Sequence, residues 1–230
     1  MRLSFTRFLK VLFASFFIQT SWSFFSMQGM GFLFNLFAGA DKDQRDKILK
    51  TYKGFFNTHP YMSSYIVGAT LRAYDEGNVS ADEIGNFIAI TQTTFASTGD
   101  LLFWQTLRPA MLLVAAILAV KSGIIGPLAF VIAFNIFHLF HRIRGIYDGY
   151  RMSRDVIYIL KAKRFTTVRH IFETLGAFCA GLLFSLASLK MDYLLLLPIT
   201  TLFILLLIKR FSSALIILAV LLLIIIMVMV

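Results

Sequence analysis

The chain has 230 residues, 58% hydrophobic and only 15% charged, with a mean hydropathy of +0.78, a composition that excludes an ordinary soluble domain and points to an integral membrane protein. Its 22 Lys and Arg against 12 Asp and Glu leave a net charge of +10. These basic residues cluster beside apolar runs, where cytoplasmic loops and anionic headgroups account for them, so the lipid bilayer rather than nucleic acid is the expected partner. The single cysteine, Cys179, excludes an intrachain disulfide or a thiolate metal cluster.

Arg2, Arg7 and Lys10 before the run Val11 to Ile18 imitate a secretory signal, but no clean small-x-small cleavage site follows. Leu9, Leu12, Phe13, Phe16 and Phe17 recur at helical spacing, which predicts an amphipathic helix at the interface or packed on the membrane domain. Gly29, Gly31 and Gly39 punctuate a second apolar segment, and Asp41 to Lys53 alternates charge as a solvated helix does. The first third of the chain reads as membrane-surface structure.

Phe55-Phe56-Asn57-Thr58-His59-Pro60-Tyr61 places a polar, proline-stopped turn between aromatic anchors. The residue before a proline is biased out of the helical region, so His59 sits at a break. In lipid such a break persists only beside protein or a water-filled cavity. Ser80-Ala81-Asp82-Glu83 has the capping-box form and predicts a helix running towards Thr98. Gly99-Asp100 then interrupts it. Arg108-Pro109 opens an apolar run to Val120 of about 12 residues, too short for a bilayer core of about 30 Å, which predicts a re-entrant or broken helix.

The second half holds apolar stretches at Ile124 to Phe140, Ile171 to Leu189, Tyr193 to Ile208 and Phe211 to Val230, each long enough to cross or nearly cross. Between the first two lie Arg142, Arg144, Arg151, Arg154, Lys161, Lys163, Arg164 and Arg169, opposed only by Asp148 and Asp155, so that segment is expected in the cytoplasm. Counting crossings onward places Lys190 outside, Lys209 and Arg210 inside and Val230 outside. Pro198 predicts a tilt or kink in the third stretch.

Among lone polar residues, Asn135 lies in an apolar run, where an amide bonds a neighbouring helix or contacts a substrate. His138 and His141, at i and i+3, lack the further ligands of a zinc site and are assigned to the basic interface. His170 is read as solvated, and the Asn78-Val79-Ser80 sequon as a turn. No Ser-His-Asp spacing, paired acid and base or nucleotide-type glycine loop stands out, so neither a catalytic residue nor a cofactor is expected.

Phe55 to Tyr61, Gly99-Asp100, Phe103-Trp104, Thr106-Leu107-Arg108-Pro109 and Gly126-Pro127 together resemble, in order and spacing, the membrane subunit IID of the mannose-family phosphotransferase system. Ser26-Met27-Gln28-Gly29-Met30-Gly31 is similar to that family's early segment. Phe130 to Gly149 and Thr174-Leu175-Gly176 to Gly181 are similar to its later ones, so the resemblance spans nearly the whole chain. Two departures stand out. Thr93 to Asp100 reads Thr-Thr-Phe-Ala-Ser-Thr-Gly-Asp where the family has Gly-Pro-Leu-Ala-Gly-Ile-Gly-Asp, and the chain is shorter near Leu189 to Tyr193.

The resemblance implies an all-α, polytopic protein of the bacterial inner membrane, with N-terminal amphipathic or interfacial helices, broken or re-entrant helices and C-terminal transmembrane helices. It would form one domain over 1–230: an amphipathic, motif-bearing part (1–98), a broken-helix part (99–140), a basic cytoplasmic segment (141–170) and C-terminal spans (171–230). It further implies a non-enzymatic subunit working with a IIC membrane subunit, in oligomers of IIC–IID pairs, to move a hexose-type sugar while IIA and IIB phosphocarriers phosphorylate it. Asn57, Thr58 and His59 offer amide, hydroxyl and imidazole hydrogen bonds to such a sugar, with Asp100 or Arg108 orienting them. Pro60, Gly99, Trp104 and Pro109 are the structural part of the motif. Two plainer roles stay open: the three polar side chains cap helix ends around Pro60, and Asp100 pairs with Arg108. A degenerate IID-like structural or regulatory module without transport is the alternative function, favoured by the altered Thr93 to Thr98 segment.

Overall fold

The computed structural model describes residues 3–188, apart from 53 and 78, together with residue 201. Among the described residues the protein is all helical, with two isolated β-bridges and no strand. It divides into two compact units, Met1–Cys179 and Ala180–Val230. Of the second unit, only the end of one helix and residue 201 are described; the expected spans at Tyr193 to Ile208 and Phe211 to Val230, and Asn78, lie outside the described residues.

The expected N-terminal helix is α1, Phe5–Ser15, capped by Ser4, whose hydroxyl accepts from the Arg7 amide. It buries Val11 and Ala14 and leaves Phe5, Leu9 and Phe13 exposed, so the aromatic row faces away from the protein and the small residues face in. Helices α2 (Gly29–Gly39) and α3 (Lys42–Thr51) follow. The charged α3 carries its predicted polarity and buries only Ile48.

The centre of the fold is α4, Ser63–Glu76, which buries 11 of its 14 residues. This corrects the reading of the first third as surface structure: Ser63, Ser64, Thr70, Tyr65 and Tyr74 masked a core helix behind polar atoms. Its neighbour is α7, Ile125–Met152. A Cβ on Gly68 would lie 2.5 Å from the Ile146 carbonyl oxygen, and one on Gly149 2.2 Å from that of Tyr65. The two backbones therefore touch through glycines, the close packing that small residues permit in membrane helices. At the C-terminal end of α4, the Asp75 carboxylate receives both Arg7 Nη atoms at 3.0 Å, Gln44 Nε2 at 2.7 Å and the Tyr150 hydroxyl. Burial raises its pKa, but those hydrogen bonds outweigh burial and hold it below the ordinary carboxylate value. One acid thus ties α1, α3, α4 and α7 together.

The capping box at Ser80 forms as expected, with the Glu83 amide on Ser80 Oγ and the Ser80 amide on Glu83 Oε2. It starts α5, Ala81–Gly99. The expected interruption at Gly99-Asp100 is not a break. Asp100–Leu107 winds on as a π-helix into α6, Arg108–Ser122, giving one continuous helix of 42 residues. Pro109 supplies the reason. In an α-helix its ring would clash with the carbonyl four residues earlier and it has no N–H to donate. The wider turn relieves that clash. Within it the Arg108 amide reaches the Phe103 carbonyl and Thr106 Oγ1 the Leu101 carbonyl at 2.8 Å. The short re-entrant α6 inferred from its apolar run is thereby corrected.

After the turn at Gly123, α7 runs on past Phe140 to Met152, a 3₁₀ segment covers Ser153–Lys161, and α8 spans Lys163–Ser188. The basic segment 141–170 is therefore almost wholly helical. Ala81–Ser122 and Ile125–Lys161 are long and apolar enough to cross a membrane, with only 33% and 17% of their most apolar windows buried inside the protein. Such exposure fits lipid or a membrane partner better than a soluble core.

Candidate functional site

The Phe55 to Tyr61 turn is fixed by residues far from it in sequence. Its backbone runs beside Ser26–Gln28, with the Gln28 amide on the Phe56 carbonyl at 2.8 Å and the Phe56 amide on the Ser26 carbonyl at 3.3 Å. Gln28 also uses both ends of its side chain on Thr58, Nε2 donating to the carbonyl at 2.8 Å and Oε1 accepting from the amide at 3.2 Å. Gln92 on α5 does the same work from the other side. Its Oε1 accepts the Asn57 amide at 2.9 Å, and its main-chain carbonyl accepts Thr58 Oγ1 at 2.9 Å. Phe56 is buried and stacks on Phe32 at 3.9 Å. Two glutamine side chains thus satisfy the Asn57 and Thr58 amides and the Thr58 carbonyl, backbone groups that the proline-stopped turn leaves without a helical partner.

Caps around Pro60 are realised in part. The His59 carbonyl accepts the Met62 and Ser63 amides, Ser63 Oγ donates to the Pro60 carbonyl, and His59 Nδ1 accepts the Tyr61 amide at 3.4 Å. Asn57 is exposed and its side chain caps nothing among the described residues.

His59 is 1% exposed. Its ring stacks on Phe103 at 4.9 Å and lies 5.2 Å from Trp104 and 5.1 Å from Tyr61. Gly99 is what admits it: a Cβ there would stand 2.3 Å from His59 Cβ. Burial, aided by the charges of Arg142 and His141, pushes the His59 pKa down to about 3, so the imidazole is neutral at physiological pH. The π-helical turn presents Phe103 and Trp104 to it together.

Asp100 and Arg108 do not pair. Arg108 lies over the Trp104 ring at 5.2 Å, and Asp100 is half-buried, its carboxylate in no hydrogen bond or ion pair among the described residues. Asn135 bonds its own helix, Nδ2 to the Val131 carbonyl at 2.7 Å, instead of a neighbour. His138 and His141 leave the basic interface for the aromatic cluster. His138 stacks on Tyr61 at 4.7 Å, and His141 is buried with Nδ1 3.2 Å from the Tyr65 hydroxyl. His170 is exposed beside Glu173, as read.

Sequence reasoning missed Gln28, Gln92 and Arg142. Arg142 was counted with the cytoplasmic charges, yet it is buried, donates to the Ser15 carbonyl and lies over the rings of Phe16 and Tyr61. The signal available was an arginine one turn before Ile146, on a helix that continues well past it. The altered segment Thr93 to Thr98 is not a loop but the last turns of α5. Thr93, Thr94 and Ser97 donate their hydroxyls to carbonyls of their own helix, and Phe95 stacks on Tyr65 at 5.4 Å.

Comparison with known proteins gives the same outline. The model of the family described as PTS system mannose/fructose/sorbose family IID component matches residues 2–193. The mannose-specific EIID component of Escherichia coli K12 is 32% identical over 150 residues, covering 60% of this chain and 53% of that protein. The fructose permease IID component of Bacillus subtilis is 27% identical over 178 residues, covering 74% and 65%. The chain therefore spans about half the length of the E. coli relative. Among solved structures, the mannose transporter ManYZ in complex with microcin E492 aligns with a TM-score of 0.62 at 25% identity, over 83% of this chain and 72% of that one. A second structure, described as a membrane protein, shares the fold with a TM-score of 0.74 at 23% identity, over 96% and 95%.

Proposed function

Because the chain belongs to the mannose/fructose/sorbose family of phosphotransferase-system IID components, we propose that it is the IID subunit of a sugar transporter in the bacterial inner membrane. It crosses that membrane more than once and works with a IIC subunit, while IIA and IIB carriers phosphorylate the incoming sugar. This chain holds no phosphoryl group itself; its part is to shape the path and the contact with IIC. The observation that carries the reading is the meeting of three separated motif segments. Ser26 to Gly31, Phe55 to Tyr61 and Gly99 to Pro109 converge through Gln28, Gly99 and the Phe103 ring on one turn. A non-helical turn held by two glutamines beside an aromatic-lined histidine is the kind of interruption that transporters place near solute. Asn57, Thr58, His59, Asp100 and Arg108 are assigned to that path, and Asn57 and Asp100 have side chains with polar capacity left over. The departure at Thr93 to Thr98 leaves a regular helix, which supports transport over a degenerate module.

The test is uptake and phosphorylation of labelled D-mannose and D-fructose in cells without their own mannose-type system, supplied with this chain, its IIC partner and phosphocarriers. The double variant Asn57→Ala, His59→Ala is expected to lose uptake while still copurifying with IIC. No uptake by the unaltered, stably assembled complex would refute the transport reading.

A further inference from the structure

A cavity of about 180 Å³ lies between the end of α3, α4 and α5, walled by Tyr52, Tyr74, Ile84 and Ile88. Gly85 also lines it, and a Cβ added there would meet nothing within 4 Å. Tyr74, Ile84 and Ile88 are buried, whereas Phe55 and Ala89, which complete the lining on the outer side, are exposed, so the space is reached from outside.

One buried polar side chain of this lining is left with capacity to spare. Gln92 is 8% exposed, and its Oε1 accepts the Asn57 amide at 2.9 Å, which leaves Nε2 as the free end, without a hydrogen-bond partner among the described residues. The other side-chain donors of the lining are used within the protein. The Tyr52 hydroxyl donates to the Gly29 carbonyl at 3.1 Å, Thr51 Oγ1 donates to the Ile48 carbonyl at 3.3 Å, and the Tyr74 hydroxyl donates to Thr51 Oγ1. Burial raises the pKa of Tyr52 and of Tyr74, so both hydroxyls stay protonated, and none of the described lining residues is charged.

These walls fix the class of occupant. Water is held poorly, because a buried water needs about two to four polar partners and one spare donor is on offer. An ion would be left without a counter-charge. An acyl chain would fill the space but desolvate Gln92 Nε2 and give it nothing to donate to. What fits is a neutral molecule with an apolar body and one accepting oxygen. A dry cavity of about 150 Å³ takes a benzene ring, so this one has room for a single ring with a small substituent, and the flat faces of Tyr52 and Tyr74 suit it.

Gln92 joins the cavity to the proline-stopped turn. The side chain that offers Nε2 to an occupant holds the Asn57 amide with its other end, and its main-chain carbonyl accepts Thr58 Oγ1 at 2.9 Å. We propose that this cavity binds a small neutral molecule, the size of one oxygen-bearing aromatic ring, and that the occupant steadies the turn at Asn57 through Gln92. The site lies apart from the assigned solute path and stands whether or not the chain transports sugar.

The experiment is a fluorine NMR titration of the detergent-purified full chain with para-fluorophenol and with para-fluorotoluene, which lacks the oxygen. The unaltered chain is compared with Gly85→Leu, which fills the cavity from a position with open space, and with Ala89→Phe, which narrows it from the exposed side; uptake by empty micelles is subtracted. Unchanged thermal unfolding establishes that each variant is folded. The unaltered chain should bind para-fluorophenol saturably, and both variants at least about tenfold more weakly. Para-fluorotoluene should bind the unaltered chain about tenfold more weakly than the phenol, because it buries the Gln92 donor without an acceptor. Hydrogen exchange of the Asn57 amide should slow about threefold or more with the phenol bound, and stay unchanged in Gly85→Leu. Binding equal in all three chains, or none above micelle uptake, would overturn the site. Saturable binding that leaves Asn57 exchange unchanged would overturn the link through Gln92.

Discussion

At the scale of single residues, His59 concentrates the chemistry of the site because it is neutral where a histidine is ordinarily near its titration point. A pKa of about 3 in the folded chain against 6.5 in the unfolded one means the unfolded state binds more protons between those values. Stability is therefore fully present above pH 6.5 and declines as the pH falls towards 3, by at most about 1.4 kcal/mol per pH unit for one proton. Thermal unfolding of the detergent-purified chain across that range should follow this slope, and His59→Asn, which cannot titrate, should flatten it. An unchanged slope in His59→Asn would assign the acid sensitivity to another group. Much of this residue's role was legible in the sequence, since the following proline marks it at a break. Its burial was not, because the space it occupies is set by the missing side chain of Gly99, 40 residues away. Arg142 was illegible for a related reason: charge and position along the chain place it with solvated arginines, and only packing against Ser15 and Tyr61 sets it apart.

At the scale of elements, the α4–α7 pair holds the site in place, since α4 starts at the His59 turn and α7 carries Arg142 and His138. Its glycines cannot take side chains without moving backbone. Gly149→Leu should destabilise the chain by about 3 kcal/mol or more, because the first atom added would lie 2.2 Å from a carbonyl oxygen that has no freedom to move. Gly85→Ala on α5 meets nothing within 4 Å and should be neutral or stabilising by up to about 1 kcal/mol. Thermal unfolding of both variants checks the contrast. Equal effects would mean that α4 and α7 are not held in contact by glycine. Local sequence signals located α1 through the helical spacing of Leu9, Leu12, Phe13, Phe16 and Phe17, and the start of α5 through the Ser80 capping box. They failed for α4, whose serines, threonine and tyrosines are satisfied or packed inside, so no apolar stripe exists to be read.

At the scale of the whole molecule, charge sets orientation and apolar length sets which helices meet lipid. The basic stretch following α7 should lie in the cytoplasm. Lys163→Cys, at an exposed position, should react with a membrane-impermeant maleimide in inverted vesicles and not in intact spheroplasts. The native Cys179 is buried and should stay silent. Labelling from the outside would reverse the assignment. Composition made the membrane class legible at once, whereas the continuity of Ala81–Ser122 was hidden, because Gly99 and Pro109 read as breakers and the π-helical turn that reconciles them has no sequence signature of its own. That turn also sets the phase of the long helix. In a strict α-helix each residue advances the direction of its side chain by about 100°, and the wider turn takes up one extra residue without that advance. Closing the turn to α-helical winding with its length unchanged would therefore swing every side chain of α6 about a quarter-turn around the axis, whereas deleting one residue between Asp100 and Leu107 would close it with the phase of α6 kept.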